Sequence, residues 1–223
     1  AHDEDIVRTP ILAVELAWAL AKVGQREQAV ELIVRSARNR VFQREARARL
    51  GECCREIAMP GLEAALLATL RDPDLSRELH TSIVQLLFSV IPAPPISEVI
   101  TLLSDRHVDA VIRRDLAEAV GQVEDPSLPD LIVELIRRPT IHAGVRARLA
   151  LTLGLLRKKE VGEEIIKLLT ERSLDVGLRS RLASSLGPLK VRNWGNRIVG
   201  LIRDSTLEVP VRRSLARTLG LLE

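Results

Sequence analysis

VGLRSRLASSLG, from Val176 to Gly187, returns along the chain at a fixed interval. One interval earlier stands AGVRARLALTLG (Ala143 to Gly154), two earlier AVIRRDLAEAVG (Ala110 to Gly121), and one later VPVRRSLARTLG (Val209 to Gly220). Gly121, Gly154, Gly187 and Gly220 each lie 33 residues from the next. A single self-similar period of this length marks stacked supersecondary units, each too small to bury its own apolar face.

Working outward from this stretch, the register extends back to Arg44. The units are 44–76, 77–109, 110–142, 143–175 and 176–208, followed by a half unit at 209–223 and preceded by an atypical unit at 1–43. Within a unit, positions 3, 7, 8 and 11 form one apolar helix face, as in Val145, Leu149, Ala150 and Leu153. The spacing places them on one side at 3.6 residues per turn. Positions 23, 24, 26 and 27 do the same for a second helix, as in Ile165, Ile166, Leu168 and Leu169. Between the helices lie breakers such as Pro60 and Pro126, while Pro129 suits the first turn of its helix, where a missing N–H costs nothing. No stretch alternates with period two, so strands are not expected. The predicted fold is all-α: one right-handed α-solenoid of antiparallel hairpins over residues 1–223. The recurring Gly at position 12 has two readings, a close approach by a neighbouring helix or a helix end.

The first unit pairs a helix over Ile11 to Val23 with a second around Gln28 to Ala37, separated by Gly24. It is similar to a tetratricopeptide unit in the placing of Trp18, Gly24 and Ala29, a pattern the later units do not keep. The seventh unit has no second helix to cover Leu215, Leu219 and Leu222, and the chain does not begin with Met. Stacked arrays normally finish in a polar capping unit, so the expectation is a piece of a longer protein.

Apolar residues make up 46% and aromatics 2%, so the core must be built from Leu, Val, Ile and Ala. Few aromatics also argue against sites made by ring stacking. No apolar run approaches the roughly 20 residues of a membrane span, and AHDEDIVRTP lacks the regions of a signal peptide. A soluble, cytoplasmic chain is expected. Cys53 and Cys54 are adjacent, cannot both face one metal from a helix, and have no partnered His spacing; they read as small apolar residues in a reducing compartment. The net charge of +3 divides unevenly: residues 1–142 carry 17 basic and 22 acidic groups, residues 143–223 carry 16 and 8. An anionic partner would favour the C-terminal part.

Position 4 is Arg47, His80, Arg113, Arg146, Arg179 and Arg212, and the residue four places earlier is Asp109, Asp175 or Glu208 in three units. An Asp just before a helix can accept from its first N–H groups and can also reach the Arg of its own or an adjacent unit. The run Asp175, Leu178, Arg179, Leu182, Leu186, Gly187 resembles the opening of HEAT-like repeats, as does Asp109, Ile112, Arg113, Leu116, Val120, Gly121. The resemblance is to short repeats of the kind related to phycobilin-lyase HEAT-like repeats, and to arrays that follow a nucleotide-switch domain in NACHT-type signalling NTPases. It implies that the acid and Arg stitch neighbouring repeats together. The structural ladder is therefore Arg47, Asp109, Arg113, Arg146, Asp175, Arg179, Glu208 and Arg212. Gln43, Ser76 and His142 depart from the acid and His80 from the Arg, and looser junctions are expected there.

Binding specificity should lie where the units differ. Arg157, Lys158 and Lys159 in one loop and Lys190, Arg192 and Trp194 in the next occupy matching positions, and together form a candidate basic edge with one aromatic. The alternative is a solvated rim with Trp194 tucked against Pro188 or the helix ends. Catalysis has little support: His2, His80, His107 and His142 are scattered, no nucleophilic constellation or phosphate loop is present, and no zinc spacing occurs. The expected function is a non-catalytic scaffold or sensor for a protein partner, without cofactor, metal or membrane. Nucleic-acid binding through the basic C-terminal units is the alternative, and a bilin lyase-like or glycosylase-like activity the third.

Overall fold

The computed structural model describes residues 6–90, 96–123, 125–156, 159–189 and 194–221, with Lys159 described through its backbone alone. The described residues form thirteen α-helices and no strand, and the helices pack in succession as an all-α, solenoid-like fold. Among them no helix is long and apolar enough to cross a membrane. Two compact units divide the chain, Ala1–Ala119 and Val120–Glu223.

The first unit holds α1 (Pro10–Lys22), α2 (Arg26–Asn39), α3 (Arg44–Glu56), α4 (Leu62–Thr69), α5 (Arg77–Val90), α6 (Ile96–Ser104) and α7 (Ala110–Ala119). Pro10 opens α1 where its missing N–H is harmless, and Gly24 closes it at φ +86°. There the Gln25 N–H donates to the Leu20 carbonyl at 2.9 Å and the Gly24 N–H to that of Ala21 at 3.2 Å, a paired closure that only a left-handed residue permits. The inner face of α1 is Ala13, Val14, Ala17 and Ala21, small enough for α2 to lie close along it. First helices then pack in order, α1 on α3, α3 on α5 and α5 on α7, while α2 lies beside α4 in a second row.

In the second unit, α8 (Leu128–Arg137), α9 (Ala143–Leu155), α10 (Lys159–Thr170), α11 (Val176–Ser185), α12 (Gly195–Arg203) and α13 (Val209–Leu219) follow the same plan. Here α9 packs on α11 and α11 on α13. Val145, Leu149, Ala150 and Leu153 have no exposed surface, and Leu168 and Leu169 are equally enclosed. The two apolar faces read from the period are thus the core.

Four hairpins end in the same tight turn. A residue at position 29 accepts from the N–H three places on, as in Val108 to Asp105 (3.3 Å), Ile141 to Arg138 (3.2 Å) and Leu174 to Glu171 (3.1 Å). Val108, Ile141, Leu174 and Leu207 are buried beneath these turns. The carboxylates of Asp72, Asp105 and Asp204 also accept from the N–H two residues on, at 2.8–3.0 Å, closing local rings that fix the turn. The last turn residue then caps the next helix. Asp109 accepts from Val111 at 2.6 Å and Asp175 from Leu178 at 2.8 Å. Ser76 and His142, which replace the acid, cap as well, at 3.4 Å and 3.1 Å, because each offers one acceptor of suitable reach. Gln43 and Glu208 make no side-chain cap.

Gly121 and Gly154 resolve as close approach, whereas a Cβ on Gly187 would make only ordinary contact with Leu221 and Thr218, and Gly220 caps the end of α13. None has the left-handed backbone of a helix-ending glycine, which only Gly24 and Gly61 adopt among the described residues. A Cβ on Gly154 would stand 2.1 Å from the Ser185 carbonyl oxygen, and one on Gly121 2.6 Å from the Thr152 methyl. The neighbours at this contact are small hydroxyl residues that bond inward: Ser185 Oγ donates to the Leu182 carbonyl at 2.7 Å and Thr218 Oγ1 to that of Ala183 at 2.9 Å. A Gly facing a Ser or Thr lets consecutive first helices approach backbone to side chain.

Candidate functional site

The ladder arginines act within and between hairpins. Arg179, almost wholly enclosed, donates through Nε to the Leu174 carbonyl at 3.1 Å and through its terminal nitrogen to Glu208 Oε1 at 2.6 Å. Arg113 makes the same backward bond to the Val108 carbonyl at 3.0 Å, and Arg146 the same forward one to Asp175 Oδ2 at 3.0 Å. Backward, the guanidinium holds the turn that precedes its own helix. Forward, it grips the residue that opens the next first helix, 29 residues on. The planar guanidinium has enough donors to do both.

Arg47 has Ser76 in the place of that acid, and its side chain turns instead to the Gln85 side-chain oxygen on α5. His80 is buried with its two ring nitrogens each 3.1 Å from a carbonyl oxygen, those of Ser76 and Asp72, so it holds its turn from within. At the far end of the ladder, Arg212 Nε and Glu208 Oε2 are buried without a hydrogen-bond partner. The hydrogen bond from Arg179 holds the Glu208 carboxyl below its ordinary range.

A second set of links escapes the sequence reading. Arg38 pairs with Asp72 and Arg137 with Glu171, the latter with Nε at 3.0 Å, and both pairs are 34 residues apart. Arg197 to Glu163 and Arg49 to Glu15 span the same interval in reverse. The acids at position 29, Asp72, Asp105, Glu171 and Asp204, were the visible signal. Trp18 belongs to this stitching too: Lys22 Nζ lies 3.6 Å from its ring centre, Arg49 flanks it, and its indole N–H donates to Glu56 at 3.1 Å.

Of the candidate basic edge, Arg157, Lys158, Lys190 and Arg192 and the side chain of Lys159 lie outside the described residues. Trp194 is described, and it does not offer its ring to solvent. It is 5% exposed and packs on Gly162 of α10, where a Cβ would fall 1.7 Å from a ring carbon. An aromatic on the proposed edge is therefore corrected to a core residue, seated in the gap that a mid-helix glycine opens. Gly162 was the signal for it.

The thiols and the possible metal ligands can be placed among the described residues. No group of three or more His, Cys, Asp or Glu side chains could hold a metal there. Burial pushes the Cys53 thiol up and that of Cys54 to about 11, so both remain protonated at neutral pH.

A largely apolar concavity lies in the first unit, between the second helices α2 and α4. It encloses about 420 Å³, within the range of small binding pockets. Val30 and Val34 of α2 and Ala65 of α4 line it, and the Pro60–Gly61 step forms one wall. Gly61 has φ +89°, a conformation that carries the chain into α4 and leaves this wall without a side chain. Glu27 and Glu31 stand at its polar margin with Arg35 and Arg38, and Arg38 is already held by Asp72. The sequence marked none of these residues as a site, because the concavity arises between units at positions that do not repeat. No protein-family model matches the chain, and no curated protein matches it.

Proposed function

We propose that this chain is a non-catalytic scaffold that holds a segment of a partner protein in the groove between α2 and α4. The supporting observation is the groove itself, an open, largely apolar surface in a fold whose repeated residues are committed to internal contacts. Three of the many arginines that would suggest nucleic acid by their number, Arg113, Arg146 and Arg179, bind turn carbonyls or acids of neighbouring hairpins. The resemblance of the repeats to HEAT-like arrays, including those of NACHT-type signalling proteins, supports a scaffold or sensor role, as an analogy of fold. Two free thiols suit a reducing compartment such as the cytoplasm.

A photo-crosslinking residue at Ala65, compared with one at Arg217 in the other unit, tests this in a cell extract. Protein adducts specific to position 65 support the scaffold. Absence of such adducts, with nuclease-sensitive adducts at position 217, would favour the second reading, nucleic-acid binding through the basic C-terminal units. That alternative draws on the charge excess of residues 143–223, which carry 16 basic and 8 acidic groups.

A further inference from the structure

We infer that the α2–α4 groove takes a basic, apolar peptide segment, one bulky apolar side chain with a Lys or Arg one or two residues from it; this rests on the scaffold proposal above. The apolar part follows from the floor, where Val30, Val34 and Ala65 leave a space of about 420 Å³. A side chain of Leu or Phe size can enter it and remove these surfaces from water.

The basic part follows from charge at the margin. Glu27 and Glu31 are both exposed, lie one helical turn apart, and neither forms an ion pair with a described residue. Like charges at this spacing repel on a helix surface. The helix dipole accounts for Glu27, which lies in the first turn of α2, but that benefit fades within one turn and does not reach Glu31. On the same helix Arg38 is bound to Asp72, which leaves the two carboxylates set against the single guanidinium of Arg35 and gives the groove margin a net acidic charge. A cation from outside would relieve the repulsion between them, whereas an acidic or phosphorylated segment would add to it.

Geometry limits the spacing. Glu31 and Val34 are three residues apart on α2, about 4.5 Å along the axis, and an extended peptide advances about 3.3 Å per residue. The cation therefore sits one or two residues from the apolar anchor.

The test selects short random peptides displayed on phage against the full chain, and measures single selected peptides by fluorescence anisotropy. The expected peptides pair an apolar anchor with a neighbouring Lys or Arg. Their binding is lost in Ala65→Trp and in Val34→Trp, which fill the floor from opposite helices, so one folded variant suffices. Binding falls about tenfold in the double variant Glu27→Gln, Glu31→Gln, and is unchanged in Arg217→Gln. Peptides that need an open floor but show no basic preference, or ignore the double variant, overturn the inference and leave the scaffold proposal standing. If no selected peptide responds to filling the floor, both fall.

Discussion

Arg179 holds a turn and the next hairpin at once: Nε donates to the Leu174 carbonyl at 3.1 Å, and the terminal nitrogen to Glu208 Oε1 at 2.6 Å, 29 residues further along. The consequence is a pH-dependent seam. With Arg179 bonded to it, the Glu208 carboxyl is held below its ordinary range in the folded chain. A lowered carboxyl contributes in full above the unfolded value, and the contribution disappears as pH falls through the lowered one. Glu208→Gln is expected to melt at a lower temperature than the parent chain at neutral pH, with the difference closing in strong acid. Equal melting curves at neutral pH would show that this bond adds nothing.

Gly154 and Gly200 should respond to alanine in opposite senses. A Cβ at Gly154 meets the Ser185 carbonyl oxygen at 2.1 Å, whereas one at Gly200, inside α12, meets nothing within 4 Å. Gly154→Ala is expected to cost about 1–3 kcal/mol through enforced separation of α9 and α11. Gly200→Ala should stabilise by up to about 1 kcal/mol, through helix propensity and a less flexible unfolded chain. Urea unfolding of the two variants reads both signs.

Trp194 fills the space over Gly162, so its loss opens a cavity. Trp194→Ala is expected to destabilise by about 3–5 kcal/mol, the range for deleting a large buried ring. Fluorescence adds a second reading without unfolding. In Trp18→Phe the remaining emission, from Trp194, should lie to the blue and resist quenching by iodide. Ready quenching would place the ring in water.

The thiols should be slow to react. Burial lifts Cys54 from 9.0 to about 11, a loss of about a hundredfold in thiolate fraction at neutral pH. Ellman's reagent is expected to label the native chain at least about a hundredfold more slowly than the denatured one. Labelling at equal rates would expose an open α3.

What the sequence made legible is the part that repeats. Val145, Leu149, Ala150 and Leu153 were assigned to the core from spacing alone and are fully enclosed. The same holds for the bond from Arg179 to Glu208, because an acid and an arginine recurring at one interval leave a periodic trace. Ser76 and His142 cap their helices as an acid would, because a hydroxyl and an imidazole nitrogen also accept at a helix start, while Arg47 bonds Gln85 in place of an acid at Ser76. Links such as Arg137 to Glu171 were hidden because they occur at some seams and not at others. Trp194 had two readings, an exposed edge and a tucked ring, and the tucked one holds on a partner that no side chain marks, Gly162. The groove between α2 and α4 depends on how two neighbouring units differ, and no single stretch records it.

The glycine contacts bear on how such a chain can change in length. A Cβ on Gly154 would meet Ser185 on α11, one on Gly187 would stand 3.9 Å from the Thr218 methyl on α13, and both of these neighbours are compact hydroxyl residues. Removing Val176 to Glu208 would set Thr218 in the place of Ser185, opposite Gly154, and leave Asp175 to cap α13 and to receive Arg146. The cut would have to take Trp194 with it and uncover Gly162. Seams of this kind match across units, so the loss of a whole unit would keep an acid opposite Arg146, while a cut of another length would strand it.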